Sequence, residues 1–178
     1  MKKLLNEELN RKTVEEFKKA AKHPVVVVLD NVRSLNNIGS VFRTCDAFLM
    51  QEIILCGITA TPPHREISKT ALGATESVEW KYIENTIIAV NELLNNGYKV
   101  FAIEQAQGAC MLQDISLSQN EKYAVIFGHE INGVSQEVVD LCDGVIEIPQ
   151  HGTKHSINVA VSAGIVLWEF SRHLRMFH

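Results

Sequence analysis

Residues 25–49 read VVVVLDNVRSLNNIGSVFRTCDAFL. The run at 25–29 is short, apolar and mostly β-branched, as expected of a strand covered on both faces. Residues 31–37 form a polar loop, and helical spacing follows over 38–49, with Asn36 or Asn37 as the predicted N-cap. Strand, polar loop, helix is the unit that recurs along the chain. Further strands are predicted at 53–56, 78–82, 99–103, 123–127 and 145–148. Helices are predicted near 65–72, ended by Gly73, at 86–95, near 136–141 and from 158 to about 173. Residues 105–120 read as a less regular connection. Strands alternating with helices argue an α/β fold with a mainly parallel sheet flanked by helices.

Outward from this unit, residues 3–21 read as one amphipathic helix with Leu5, Leu9, Phe17 and Ala21 on a face, stopped by Pro24. Residues 1–22 are therefore assigned to an N-terminal extension and 23–178 to a single domain, without repeats or linkers. The extension carries seven basic and four acidic groups, a net of +3; the remaining 156 residues carry ten and seventeen, a net of −7. An acidic body argues against broad, non-specific nucleic-acid binding but leaves room for a local basic cleft.

The 178 residues suffice for one full hydrophobic core. No stretch approaches the roughly 18 apolar residues of a membrane span, and the N-terminus has no apolar signal region. The four cysteines lie at least eleven positions apart, so no CxxC pair exists. They read as reduced thiols of a cytoplasmic protein.

In parallel sheets, ligands sit where strand ends feed helix N-termini, and three such loops are rich in polar residues and glycine. The first spans 30–46 and holds Asn37 and Arg43. Six positions apart, they do not share an ideal helical face, and an Asn cap plus a snorkelling Arg is a sufficient structural account. The second, GHEINGVS at 128–135, sets Glu130 between Gly128 and Gly133; a simple turn with Ser135 as N-cap also fits. The third, IPQHGTKHSIN at 148–158, holds His151, Lys154, His155, Ser156 and Asn158, and precedes an almost wholly apolar helix predicted to be buried. A surface loop capped by Ser156 or Asn158 is the alternative there. His151 and His155 are four apart, but the segment contains Gly152 and no HExxH, so no metal is assigned. No dinucleotide fingerprint, P-loop or GxSxG elbow is present.

Taken together and in order, NNIGSVFRTCDAF, VIFGHEINGVS and IEIPQHGTKHSINVAVSAGIVLWE resemble motifs 1, 2 and 3 of the SpoU (TrmH-like) branch of the SPOUT RNA methyltransferases, over about residues 24–170. The resemblance implies a homodimeric enzyme with a trefoil knot in about residues 123–170. It implies S-adenosylmethionine as cofactor, S-adenosylhomocysteine as product, and methyl transfer to a ribose 2′-hydroxyl of RNA. The motif residues fall on Asn37, Arg43, Glu130, Ser156 and Asn158 as the catalytic set. Cofactor contacts are expected from Phe127, Gly128, Gly133, Ile148, Pro149, Ser156 and Ile157. His129 stands where relatives often have Asn. RNA contacts are expected from Arg33, Arg43, Arg65, Lys69 and Lys154, with the basic N-terminal segment either an extension of that surface or a solvated helix with i,i+4 Glu–Lys pairs. The short chain resembles the smaller tRNA-modifying members, so tRNA is expected before rRNA. The rivals are an rRNA 2′-O-methyltransferase, a base-nitrogen methyltransferase, a Rossmann-like oxidoreductase and a catalytically silent RNA-binding or ribosome-assembly module. The complete motif set argues against the silent module, and the absent glycine fingerprint against the oxidoreductase.

Overall fold

The computed structural model describes residues 1–174, the side chain of Asn6 excepted. Helix α1 (Val14–Lys19) comes first in sequence. Strand β1 (His23–Asp30) leads to helix α2 (Leu35–Ala47) and β2 (Met50–Cys56). Helices α3 (Arg65–Ala71) and α4 (Ala74–Ser77) precede β3 (Glu79–Ile83), α5 (Thr86–Asn95) and β4 (Tyr98–Ile103). The chain continues through β5 (Cys110–Met111), β6 (Lys122–Phe127), α6 (Gln136–Val139), β7 (Gly144–Glu147) and α7 (Val159–Leu174). Among the described residues seven strands form one sheet in the order β3-β2-β1-β6-β4-β7-β5, and every pairing in it is parallel.

Alternation along β1 explains why this strand is central. Val25, Val27 and Leu29 enter the core built with α2, α3 and α7, while Val26 and Val28 enter the core built with α5 and α6. Both faces are covered, so the strand is apolar throughout. Its neighbours β2 and β6 flank it on opposite sides. No helix among the described residues is long and apolar enough to cross a membrane.

Several predicted elements are corrected. The N-terminal segment is not one helix over 3–21. A 3-10 turn (Asn6–Leu9) ends at Asn10, whose φ of 47° is left-handed, and α1 begins afresh after Thr13. The Thr13 Oγ1 accepts the Glu16 amide at 3.2 Å and Glu16 Oε2 accepts the Thr13 amide at 2.8 Å, a capping box. Of the predicted apolar face only Phe17 is buried; Leu5 and Leu9 are exposed. Helix α2 starts after Ser34, not at Asn36 or Asn37, because the Ser34 hydroxyl takes the Asn37 amide at 3.3 Å. Leu72, at φ 49°, ends α3, and Gly73 opens α4. Helix α6 stops at Val139, leaving Cys142 beyond it. The apolar α7 is buried on one side only: Ala163, Val166, Leu167, Phe170 and Leu174 are inside, and Val161, Ile165 and Trp168 are exposed. The two-residue β5, beside β7, lies within the connection read as irregular.

Gly39 lets α2 lie against α3. A Cβ there would overlap the Ile67 carbonyl oxygen and Thr70 Oγ1. The Thr70 hydroxyl also reaches the Asn36 carbonyl at 3.1 Å. Gly39→Ala is therefore expected to destabilise the fold by about 1–3 kcal/mol through overpacking. A urea titration checks this: the midpoint falls while the slope stays the same.

Candidate active site

The carboxyl ends of β4, β6 and β7 surround a cleft of about 420 Å³. Its walls come from Ile103 and Glu104 after β4, Phe127 to Gly133 after β6, and Ile148 and the 155–159 stretch after β7. This size and the mixture of isoleucines with main-chain polar groups suit a small organic ligand.

The loop after β6 folds back on itself. His129 and Gly133 exchange backbone hydrogen bonds at 3.1 and 2.8 Å. Gly128 lies so close to Gly133 and Val134 that a Cβ would overlap their backbone, and Gly133 has a left-handed φ of 66°. His129 Nδ1 accepts the Ile131 and Asn132 amides at 3.0 and 3.3 Å. The His129 ring thus closes the turn from inside the loop.

Glu130 points out of this loop toward the start of α2. Its Oε2 accepts the Arg33 amide at 3.0 Å; its Oε1 accepts the Ser34 amide at 2.9 Å and Asn37 Nδ2 at 3.1 Å. Burial pushes its pKa up, but the Arg33, Ser34 and own-backbone amides and the Asn37 side chain outweigh this, so the carboxyl sits below its usual range. Asn37 is buried, and its Oδ1 accepts Asn158 Nδ2 at 3.1 Å. Asn158 Oδ1 in turn caps α7 through the Ala160 and Val161 amides, at 2.9 and 3.4 Å. One relay thus joins the loops after β1, β6 and β7. Gln105 adds a bond from its Nε2 to the His155 carbonyl at 2.6 Å.

The predicted site residues divide into two places. Phe127, Gly128, Glu130, Gly133, Ile148, Ser156, Ile157 and Asn158 line the cleft. Asn37 lies behind Glu130, and Pro149 is exposed outside the lining. Arg43 is exposed on α2 and lines a separate depression of about 510 Å³ with Ser40, Thr44, Phe48, Lys69 and Gly164. Lys69 pairs with Glu66 at 2.7 Å. Arg33, Arg65 and Lys154 are exposed and do not join this depression. Sequence reading passed over Glu104 and Gln105, although Glu104 directly follows a strand, the very position used to find the other loops.

Burial pushes the Cys45 thiol up, and the Cys142 thiol up to about 11, so neither is an activated nucleophile. Among the described residues no group of three His, Cys, Asp or Glu is placed to hold a metal ion.

A parallel sheet with its ligand cleft built from loops at the strand carboxyl ends defines an α/β domain organised around a small-molecule site. Residues 24–168 match the model of the SpoU rRNA Methylase family, and the chain belongs to that family. It is 30% identical to the tRNA (guanosine(18)-2′-O)-methyltransferase of Thermus thermophilus, over 93% of this chain and 83% of that protein. A Staphylococcus epidermidis relative assigned to the TrmH family of tRNA/rRNA methyltransferases is 28% identical over 89% of this chain, which spans only 63% of that protein's length. Among solved structures, the A. aeolicus TrmH/SpoU tRNA modifying enzyme superposes with a TM-score of 0.78 at 26% identity, covering 90% of this chain and 79% of that one. An AdoMet-bound rRNA methyltransferase from Sinorhizobium meliloti superposes with a TM-score of 0.79 at 28% identity, covering 89% and 60%.

The depressed Glu130 carboxyl fixes a pH signature. Its stabilising contribution is complete above the ordinary Glu value of about 4.3 and is lost as pH falls through the lower folded value. Glu130→Gln is expected to cost about 1–2 kcal/mol at neutral pH, through weaker acceptance of three N–H donors. Denaturant titrations at pH 7 and in the acid range check the sign: the gap between wild type and variant closes as pH falls below that window.

Proposed function

We propose that this chain transfers a methyl group from S-adenosylmethionine to a ribose 2′-hydroxyl of RNA, with tRNA as substrate. The observation that carries the reading is the cleft whose three loops are locked together through Glu130, Asn37 and Asn158. The cofactor fits it in kind: Gly128 and Gly133 let the loop after β6 pack tightly on Val134 and Glu104, and Phe127, Ile148 and Ile157 offer apolar walls. When bound, S-adenosylmethionine would supply a sulfonium methyl for the ribose oxygen, the C–S pair staying on sulfur and the hydroxyl proton passing to solvent water. Relatives named as 2′-O-methyltransferases of tRNA, and an AdoMet-bound neighbour, support the assignment. tRNA is preferred over rRNA because the tRNA-named relative is matched over 83% of its own length.

In this reading Glu130 and Asn37 are positioning residues: their polar atoms hold each other and the first turn of α2. Asn158 fixes the start of α7, and Ser156 faces the cleft mouth beside it. Arg43 holds a phosphate and stabilises the developing alkoxide, because a guanidinium stays protonated far above neutral pH and is a poor base. The exposed Val161, Ile165 and Trp168 of α7 form the face on which a second copy packs. Gly164 and Phe48 put the Arg43 depression beside that face, at the junction between copies. About residues 123–170 are threaded as the family's knot; support comes from the loop before α7, which returns to bond Gln105 and Asn37. An RNA substrate and four free cysteines accord with a cytoplasmic location.

Labelled S-adenosylmethionine, offered with separate unmodified tRNA and rRNA pools and followed by nucleoside mass spectrometry, tests the reading. A 2′-O-methylated nucleoside in tRNA is expected. Modification of rRNA alone transfers the reading to the larger RNA. A methylated base in place of ribose, or no transfer and no cofactor binding, overturns it. Arg43→Ala is expected to lower transfer by at least about 10²-fold, as loss of a transition-state contact does, with cofactor affinity retained.

The exposed basic residues Lys2, Lys3, Arg11 and Lys12 extend the RNA surface. Deleting residues 1–12 spares the Thr13 capping box and buried Phe17. Filter binding is expected to show tRNA affinity reduced several-fold with a shallower salt dependence; unchanged affinity refutes this role.

A further inference from the structure

Among the described residues two carboxylates line the cleft, and no Lys or Arg side chain does. Glu130 is consumed by its three N–H donors. Glu104 is not. Its Oε1 accepts the Val134 amide at 2.9 Å, while its Oε2 has only a 3.3 Å contact from the Gln105 amide. The carboxylate lies flat on Gly133, where a Cβ would overlap Oε1. It is therefore held in place against the loop after β6 yet retains acceptor capacity toward the cleft. Among the described residues none forms an ion pair with Glu104 or Glu130. Of the two histidines in the lining, His129 uses Nδ1 as an acceptor, and His155 is exposed at the mouth.

A fixed carboxylate without a protein counter-charge gives a partly enclosed cleft a negative potential. We infer that Glu104 is a specificity-determining residue, whose charge makes the cleft hold a sulfonium methyl donor more tightly than the neutral thioether left after transfer. This rests on the function proposed above. Donor and product differ by one methyl and one positive charge, so their shared contacts cancel in the comparison. The charge remains: one ion–ion contact at about 4 Å in a solvated site corresponds to at least about a fivefold difference in affinity. Transfer of the methyl removes that attraction and so releases the product.

Calorimetric titration of the full chain with S-adenosylmethionine and with S-adenosylhomocysteine reads the inference without turnover. Glu104→Gln keeps an oxygen for the Val134 amide and removes only the charge. The variant is expected to bind the sulfonium ligand about fivefold more weakly, with the thioether altered by less than about twofold. Equal weakening of both ligands, or an unchanged ratio, overturns the inference and leaves Glu104 as a loop anchor. Wild-type protein supplies an independent reading should the variant not fold: raising the salt is expected to weaken sulfonium binding more than thioether binding. Equal salt dependence overturns the inference. Failure of wild type to bind either ligand is a distinct result, which removes the proposed cofactor and this inference with it.

Discussion

A carboxylate at the start of a helix organises this molecule's site. The first N–H groups of an α-helix have no partner within it, and its N-terminus carries partial positive charge. Ser34 takes one of those amides, and Glu130, from a different loop, takes the amides of Arg33 and Ser34 just before α2, where its negative charge suits the helix's positive end. The same oxygen that takes the Ser34 amide takes Asn37 Nδ2, and Asn37 passes the connection to Asn158 and the first turn of α7. Helix capping and site assembly are thus one set of hydrogen bonds. Removing any member frees a helix end as well as a loop, so effects on stability and on the site arrive together.

The sheet makes that relay possible by fixing where the loops begin. β1 is bonded to β2 and β6, with both faces buried, so Phe127 ends beside Leu29 and Cys56 beside Asp30. Asp30 is itself buried and bonded to Thr86 and Asn31, which holds the edge beneath the first loop. Loops set on rigid strands can carry specific chemistry without loss of position. Gly128 and Gly133 then bring the second loop to closer range than any side chain permits.

Six of the strands and their parallel character were legible because short apolar runs such as 25–29 and 123–127 alternate with helical spacing; the order of the strands in the sheet was not. The residues of the relay were legible as polar positions after strands, though their partners were not. Asn37 looked like a cap, yet Ser34 performs that task and leaves the Asn37 side chain free for Glu130 and Asn158. Periodicity also misread residues 3–21, because leucines at helical spacing do not outweigh a left-handed Asn10 and a fresh capping box at Thr13. The two-residue β5 is too short for any pattern. Glu104 was passed over because a single acid after a strand looks like any surface acid, until its bond to Val134 is seen.

The separation between the cleft and the Arg43 depression follows from helix geometry. Asn37 and Arg43 lie six residues apart on α2, which is about 9 Å along its axis at 1.5 Å per residue. Helix α7 runs between the same two places, with Val159 and Ser162 at the cleft and Gly164 at the depression. Both helices are anchored at the cleft end by the one relay. A change at Glu130 therefore acts on the start of the helix that carries Arg43, without touching Arg43. Loops provide the groups that meet a ligand, but two packed helices set the spacing between the cleft and the basic depression. Spacing of that kind is set by helix packing, so it resists thermal loop motion.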